Sequence, residues 1–161
     1  MTYVCGFPGV GKTHWCNNNR LNTHDSDNTQ YTTLPDGSPN PNFVVDYFRQ
    51  LENLQYMPGL MVFVSADELV LDEFQRRGMN YYVVIPEEGL LREYVDRYID
   101  NGTPQIVIDT IIRNWHPWLQ DIKSKHSYFE LKSGETLTDF MIRTYETGHN
   151  GTQAVDPERF K

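Results

Sequence analysis

Residues Gly6-Phe7-Pro8-Gly9-Val10-Gly11-Lys12-Thr13 fit G-x-x-x-x-G-K-[ST] at every position. That spacing suits one task, wrapping backbone around an anion. Glycines let the chain turn its N–H groups toward phosphate oxygens without a Cβ in the way. A helix opening near Lys12 adds the positive end of its dipole. The Lys12 ammonium can reach β- and γ-phosphates, and the Thr13 hydroxyl can ligate magnesium. Gly6, Pro8, Gly9, Val10, Gly11, Lys12 and Thr13 are therefore expected to hold ATP, with Lys12 acting on the transferring phosphate.

A second group follows at His24-Asp25-Ser26-Asp27. Two carboxylates one residue apart, near the end of a second strand, can divide the labour. Asp25 is expected to serve the magnesium shell and Asp27 to orient or deprotonate the attacking oxygen. Asp and Ser equally suit a turn or a helix cap, so the assignment depends on the neighbouring phosphate loop. Among the arginines, Arg97 is the expected phosphate clamp and Arg92 a contact to the nucleotide. Arg49 is a weaker candidate for a substrate phosphate. Arg76 and Arg77 read as caps of a helix dipole, and Arg113 as a partner stacked on Trp115. The five histidines lack an i, i+4 pair, and Cys5 and Cys16 cannot by themselves complete a zinc site, so they read as reduced thiols.

These groups need elements to position them. Thr2 to Cys5 reads as a buried strand feeding the glycine loop, and Thr13 to Arg20 as the helix after it. Leu21 to His24 reads as a weak second strand and Asn28 to Asn42 as a polar loop. Phe43, Val44, Tyr47, Phe48, Leu51 and Leu54 recur at helical spacing, with Pro58-Gly59 as a stop. Leu60 to Val64 and Tyr81 to Ile85 are apolar strands. Between them lies a helix from Asp67 to Arg77, with Leu69, Val70 and Phe74 inward. Leu90 to Asp100 and Pro104 to Lys123 read as helices, the second kinked or divided at Pro117. Tyr128 to Leu131 is a fifth strand and Leu137 to Tyr145 a last helix. Strand alternating with helix predicts a three-layer α/β domain, a parallel sheet with helices on both faces. Residues 1–147 are expected to form one domain and 148–161 a C-terminal tail.

The net charge of −8 and pI near 5.0 disfavour nucleic-acid strands and anionic lipid as partners. No apolar stretch is long enough to span a bilayer and no leader pattern opens the chain, so a cytoplasmic location is expected. Trp115 and Trp118 read as core.

The glycine loop resembles the G-x-P-G-x-G-K-[ST] form of nucleoside monophosphate kinases. Asp25-Ser26-Asp27 resembles the D-x-D of shikimate-kinase-like and related small-metabolite kinases. Together with Val64-Ser65-Ala66, Glu93-Tyr94 through Arg97, and Asn114-Trp115, the chain resembles small P-loop nucleotide kinases of bacteriophages. Adenylate kinases carry D-G-[FY]-P-R after the third strand, where this chain has Val64-Ser65-Ala66-Asp67. The resemblance implies a P-loop kinase fold with a five-stranded parallel sheet, residues 28 to 58 forming the acceptor-side wall. It implies ATP- and magnesium-dependent phosphorylation of a nucleoside or (deoxy)nucleoside monophosphate. A kinase of another small hydroxyl metabolite or of a polynucleotide end, and a non-catalytic nucleotide-binding module, are the alternatives.

Overall fold

A computed structural model describes residues 2–12, 23–26, 29–54 and 61–142. The predicted helix from Thr13 to Arg20, Thr13 itself, Asp27, Pro58-Gly59 and the 148–161 tail lie outside the described residues, so the domain boundary at 147 does too. The elements are β1 (Thr2–Gly6), β2 (Thr23–Ser26), α1 (Thr29–Thr32), α2 (Phe43–Leu54), β3 (Met61–Ser65), α3 (Glu68–Arg76) and β4 (Tyr81–Pro86). A single 3-10 turn at Glu88–Leu90 leads into α4 (Leu91–Asp100), α5 (Gln105–Lys125) and β5 (Tyr128–Leu131). Residues 137–142 are helical.

The sheet order is β2-β3-β1-β4-β5, with every pairing parallel. β1, β3 and β4 are the continuous apolar runs, and they occupy its centre, as strands buried on both faces must. Register partners in a parallel pair share a face. Tyr3 and its partner Tyr81 both pack on Phe74 of α3, at ring-centroid distances of 4.9 and 5.4 Å. Val4 pairs with Tyr82, which packs instead on Phe140 in the 137–142 segment at 5.9 Å. Successive strand residues face opposite ways, so α3 and the 137–142 helix cover opposite faces of the sheet.

Three local expectations are corrected. The segment from Asn28 to Asn42 is not all loop: it holds α1 and an antiparallel bridge between Thr33 and Pro39, closed by a turn with Gly37 at φ 87°. Leu69 is exposed, at 58% of its surface, and Leu71 is buried in its place. The cause is the cap. The Asp67 carboxylate accepts from the Leu69 and Val70 N–H groups, so the helix starts at Glu68 and its inner stripe falls on Val70, Leu71 and Phe74. Helix α5 runs unbroken through Pro117. Pro117 and Arg113 both lie on the exposed side, where the Arg113 carbonyl left without an N–H partner can face water. Ile106 and Ile112 of α5 are exposed, while Ile108, Ile111, Trp115, Leu119 and Ile122 form its buried stripe. No helix among the described residues is long and apolar enough to cross a membrane.

Candidate phosphate-binding site

The site begins where β1 runs out. Gly6 pairs with Ser65 and Val84, and the Phe7 N–H donates to the Val84 carbonyl at 3.0 Å, so the chain leaves the centre of the sheet at its carboxyl edge. It then turns back through Gly9 at φ 91° and Gly11 at φ 99°, where side chains are strained. Val10 between them is fully buried, and its N–H closes the turn on the Phe7 carbonyl at 3.2 Å. A Cβ on Gly6 would lie 3.0 Å from the Val10 methyl and 3.6 Å from the Lys12 Cδ. Lys12 thus folds back over its own loop, and its Nζ donates to the Ser65 hydroxyl at 3.4 Å.

The outer wall of the loop is held carbonyl by carbonyl. The Tyr98 hydroxyl donates to the Pro8 carbonyl at 2.7 Å. One guanidinium nitrogen of Arg97 donates to the Gly9 carbonyl at 3.0 Å. The Leu137 N–H donates to the Val10 carbonyl at 2.7 Å. The other Arg97 nitrogen reaches the Glu135 carbonyl and the Glu93 carboxylate, each at 3.1 Å. Phe7 is gripped by Trp118 and Trp115, with centroids at 4.4 and 5.4 Å. Those indoles are tied in turn: Trp115 donates to the Glu88 carbonyl and Trp118 to the Ala66 carbonyl.

Burial sets the protonation of these groups. The Tyr94 phenol is pushed up to about 12 by burial, against the pull of the Arg97 charge that lies over its ring at 4.3 Å. Burial likewise raises Tyr98, which keeps its hydroxyl a donor to Pro8. The Glu93 carboxyl is held below its usual range by bonds from the Ser133 hydroxyl and the Gly134 N–H, with Arg97 adding to them. Burial pushes the Cys5 thiol far up despite Lys12 nearby, so it stays neutral and inert.

Gly6, Pro8, Gly9, Val10, Gly11 and Lys12 therefore come together in one loop, and Arg97 comes to that loop from α4. Arg92, five residues earlier and about 140° around the helix, is exposed on α4. Arg49 is exposed on α2. Arg76 and Arg77 close α3 as expected and both pair with Glu73. The stacking expected of Arg113 falls, among the described residues, to Arg77 over Phe48 and Arg97 over Tyr94, while Arg113 is exposed.

The second strand ends at Ser26, two residues beyond the expected His24. It spans Thr23–Ser26, so Asp25 lies within β2, paired with Phe63, rather than beyond its end. Ser26 is buried at that end. Its hydroxyl donates to the Gln50 side chain at 3.0 Å, and its carbonyl accepts from the Tyr47 hydroxyl at 2.9 Å. The strand is thereby fastened to α2. No cluster of three or more His, Cys, Asp or Glu able to hold a metal occurs among the described residues. Sequence reasoning missed Tyr98 and Leu137 as holders of the loop, and Trp115 and Trp118 as its grip. Tyr94 and Tyr98 four residues apart, with Arg97 between, are the one local signal that could have shown a polar-aromatic helix face.

Beside the loop, across Trp118, lies an open cavity of about 550 Å³ lined by Asp67, Glu68, Asn114, Pro117, Trp118 and Asp121.

No protein-family model matches the chain, and no curated protein is significantly similar to it in sequence. Among solved structures it is similar to the tunicamycin resistance protein of Deinococcus radiodurans, with a TM-score of 0.61. The two are 16% identical, and the match covers 94% of this chain and 95% of that one. At that identity the likeness speaks to the α/β fold alone.

Proposed function

We propose that the chain is an ATP- and magnesium-dependent phosphotransferase, acting on a nucleoside or (deoxy)nucleoside monophosphate. The observation that supports this best is the loop after β1. Its carbonyls are tied outward, and Lys12 lies folded across it toward Ser65. A peptide carbonyl and the following N–H point opposite ways across a planar trans bond. Tying the Pro8 and Val10 carbonyls to the outer wall aims the Gly9 and Gly11 N–H groups into the loop, as an anion requires. ATP would supply the phosphoryl group. Lys12 would neutralise charge on the transferring phosphate, and Thr13 and Asp25 are the residues we assign to magnesium. Asp27 is our candidate for orienting the acceptor hydroxyl.

A second reading of the acceptor has its own observation. The cavity beside Trp118 presents Asp67, Glu68 and Asp121, and Lys125 pairs with Asp121 at 2.9 Å. Such a wall repels an acceptor bearing its own phosphate there and suits a neutral or amine-bearing hydroxyl compound. The acceptor panel should therefore include nucleoside monophosphates, nucleosides, amino sugars and, given the name of the structural neighbour, tunicamycin.

The experiment is acceptor-dependent ADP release by the purified chain and by Lys12→Ala. The substitution should lower turnover about a hundredfold or more, the usual cost of losing a transition-state charge contact. Equal turnover in both would end the kinase reading. ATP with magnesium at about a hundred times Kd should also stabilise the fold by roughly 2.7 kcal/mol. A melting temperature that does not move would remove the nucleotide site as well.

A further inference from the structure

We propose that Arg97 is a positioning residue rather than a phosphate clamp: with Tyr98, it latches the phosphate loop from behind and so sets the direction of the loop's N–H groups. The proposal rests on reading that loop as a phosphate site.

The geometry carries the assignment. Arg97 is 21% exposed in its side chain, and its terminal nitrogens donate to three acceptors. Two are backbone carbonyls, Gly9 in the loop and Glu135 in the turn after β5; the third is the Glu93 carboxylate one helical turn back. A clamp would keep those donors for the substrate. Here the planar fork bridges two segments of backbone far apart in the chain, a role lysine with one nitrogen cannot fill. Below the fork, the guanidinium lies over the Tyr94 ring at 4.3 Å, which fixes its plane.

The tyrosines complete the latch. A Cβ on Gly9 would lie 2.8 Å from the Tyr98 ring and 3.0 Å from the Tyr94 ring. Both rings therefore press directly on the glycine, and neither has room to swing, since Tyr94 and Tyr98 are buried. Tyr98 then fixes the Pro8 carbonyl and Arg97 the Gly9 carbonyl. Two successive peptide planes are held against rotation. Glu93 holds the other end, accepting from the Ser133 hydroxyl at 2.6 Å and the Gly134 N–H at 3.1 Å. The helix that follows this turn supplies the Leu137 N–H to the Val10 carbonyl at 2.7 Å. Helix α4 and the turn after β5 thus act as one bracket around the loop.

The test needs two readouts, one without ligand. Deuterium uptake by the segment covering residues 6–12 in the ligand-free protein should quicken tenfold or more in Arg97→Met and in Tyr98→Phe, as expected for losing a buried or charge-assisted bond. Uptake by β3 and β4 should stay at parental rates, which shows that both variants fold. Arg97→Lys should recover part of the protection, because it can reach one carbonyl and not both. The second readout is affinity for inorganic tripolyphosphate, which has no nucleoside to bind elsewhere. Its Kd should rise tenfold or more in both variants, in step with the KM for ATP. Parental uptake over residues 6–12 in Arg97→Met overturns the latch. So does a loss of kcat with unchanged tripolyphosphate affinity, which would return Arg97 to the transferring phosphate. If the parent binds no triphosphate at all, the proposed function fails, and the exchange data still decide whether the latch exists.

Discussion

The two edges of the sheet are built from similar side chains used in opposite ways. At the carboxyl edge, Tyr98, Arg97, Trp115 and Trp118 all direct a donor at a backbone carbonyl. At the amino edge, Tyr3, Phe48, Phe74 and Tyr81 pack ring on ring, with centroids 4.9 to 5.4 Å apart. One edge spends its aromatics on aiming a loop, the other on closing the core. Directed bonds fix orientation at a modest net gain in stability. Ring packing and burial supply stability with little demand on direction. Stability and binding should therefore separate between the edges.

The largest expected effect is at the amino edge. Phe74 is fully buried and touches Tyr3, Phe48 and Tyr81. Phe74→Ala should cost about 3–5 kcal/mol of stability, read by urea unfolding. Affinity for tripolyphosphate, measured well below the melting transition, should stay within about twofold, as for distant uncoupled sites. A binding loss that tracks the stability loss would show that the two edges are one cooperative unit.

A smaller effect of the opposite kind is expected at the carboxyl edge. Gly9→Ala puts a side chain at φ 91°, where L residues are strained by roughly 1–2 kcal/mol, and drives its Cβ to 2.8 Å from Tyr98. Either the loop or the ring must move, and each breaks the latch. Tripolyphosphate binding should weaken about tenfold or more, while stability falls by less than in Phe74→Ala. Parental affinity in Gly9→Ala would mean that the loop tolerates rotation and that its aim is set elsewhere.

This division also explains what could be read from the sequence. The loop was legible because each residue has a local duty: glycine for the positive φ angles, lysine for reach. The central strands were legible because burial on both faces leaves an apolar run. The end of strand β2 was hidden because it lies at the sheet edge, pairs among the described residues with β3 alone, and is made of Thr, His, Asp and Ser. The end of α3 nearest β3 was misread because a cap, not hydrophobicity, sets the helical phase at Leu69. The latch was invisible for a different reason. Arg97 and Gly9 are 88 residues apart, and a side chain bonded to a remote carbonyl leaves no periodic trace. An arginine after the fourth strand reads as a phosphate ligand by type alone; its partners here are the Gly9 and Glu135 carbonyls and the Glu93 carboxylate.

The smallest effect concerns His126, a polar side chain buried beside the aromatic edge. The His126 side chain, at the C-cap of α5, is fully buried, with Nδ1 2.6 Å from the Tyr81 hydroxyl and Nε2 3.5 Å from the Asp72 carboxylate. Burial holds its pKa below the ordinary 6.5, although Asp72 and Asp121 pull the other way and Lys125 reinforces the depression. In the unfolded chain the imidazole takes up its proton near 6.5, while the folded protein resists it to lower pH. The unfolded state therefore binds more protons between those two values, and stability falls as pH drops through that window. Above 6.5 both states are neutral at this residue and the contribution is flat. An imidazole NMR titration should give His126 a midpoint below 6.5, and the urea midpoint should decline as pH falls below that value. Replacing the ring by one that cannot be charged, with its phenol partner changed to match (His126→Phe with Tyr81→Phe), should flatten the decline. A His126 midpoint above 6.5 would mean that Asp72 outweighs burial, and that the amino edge, like the carboxyl edge, depends on a directed charged contact.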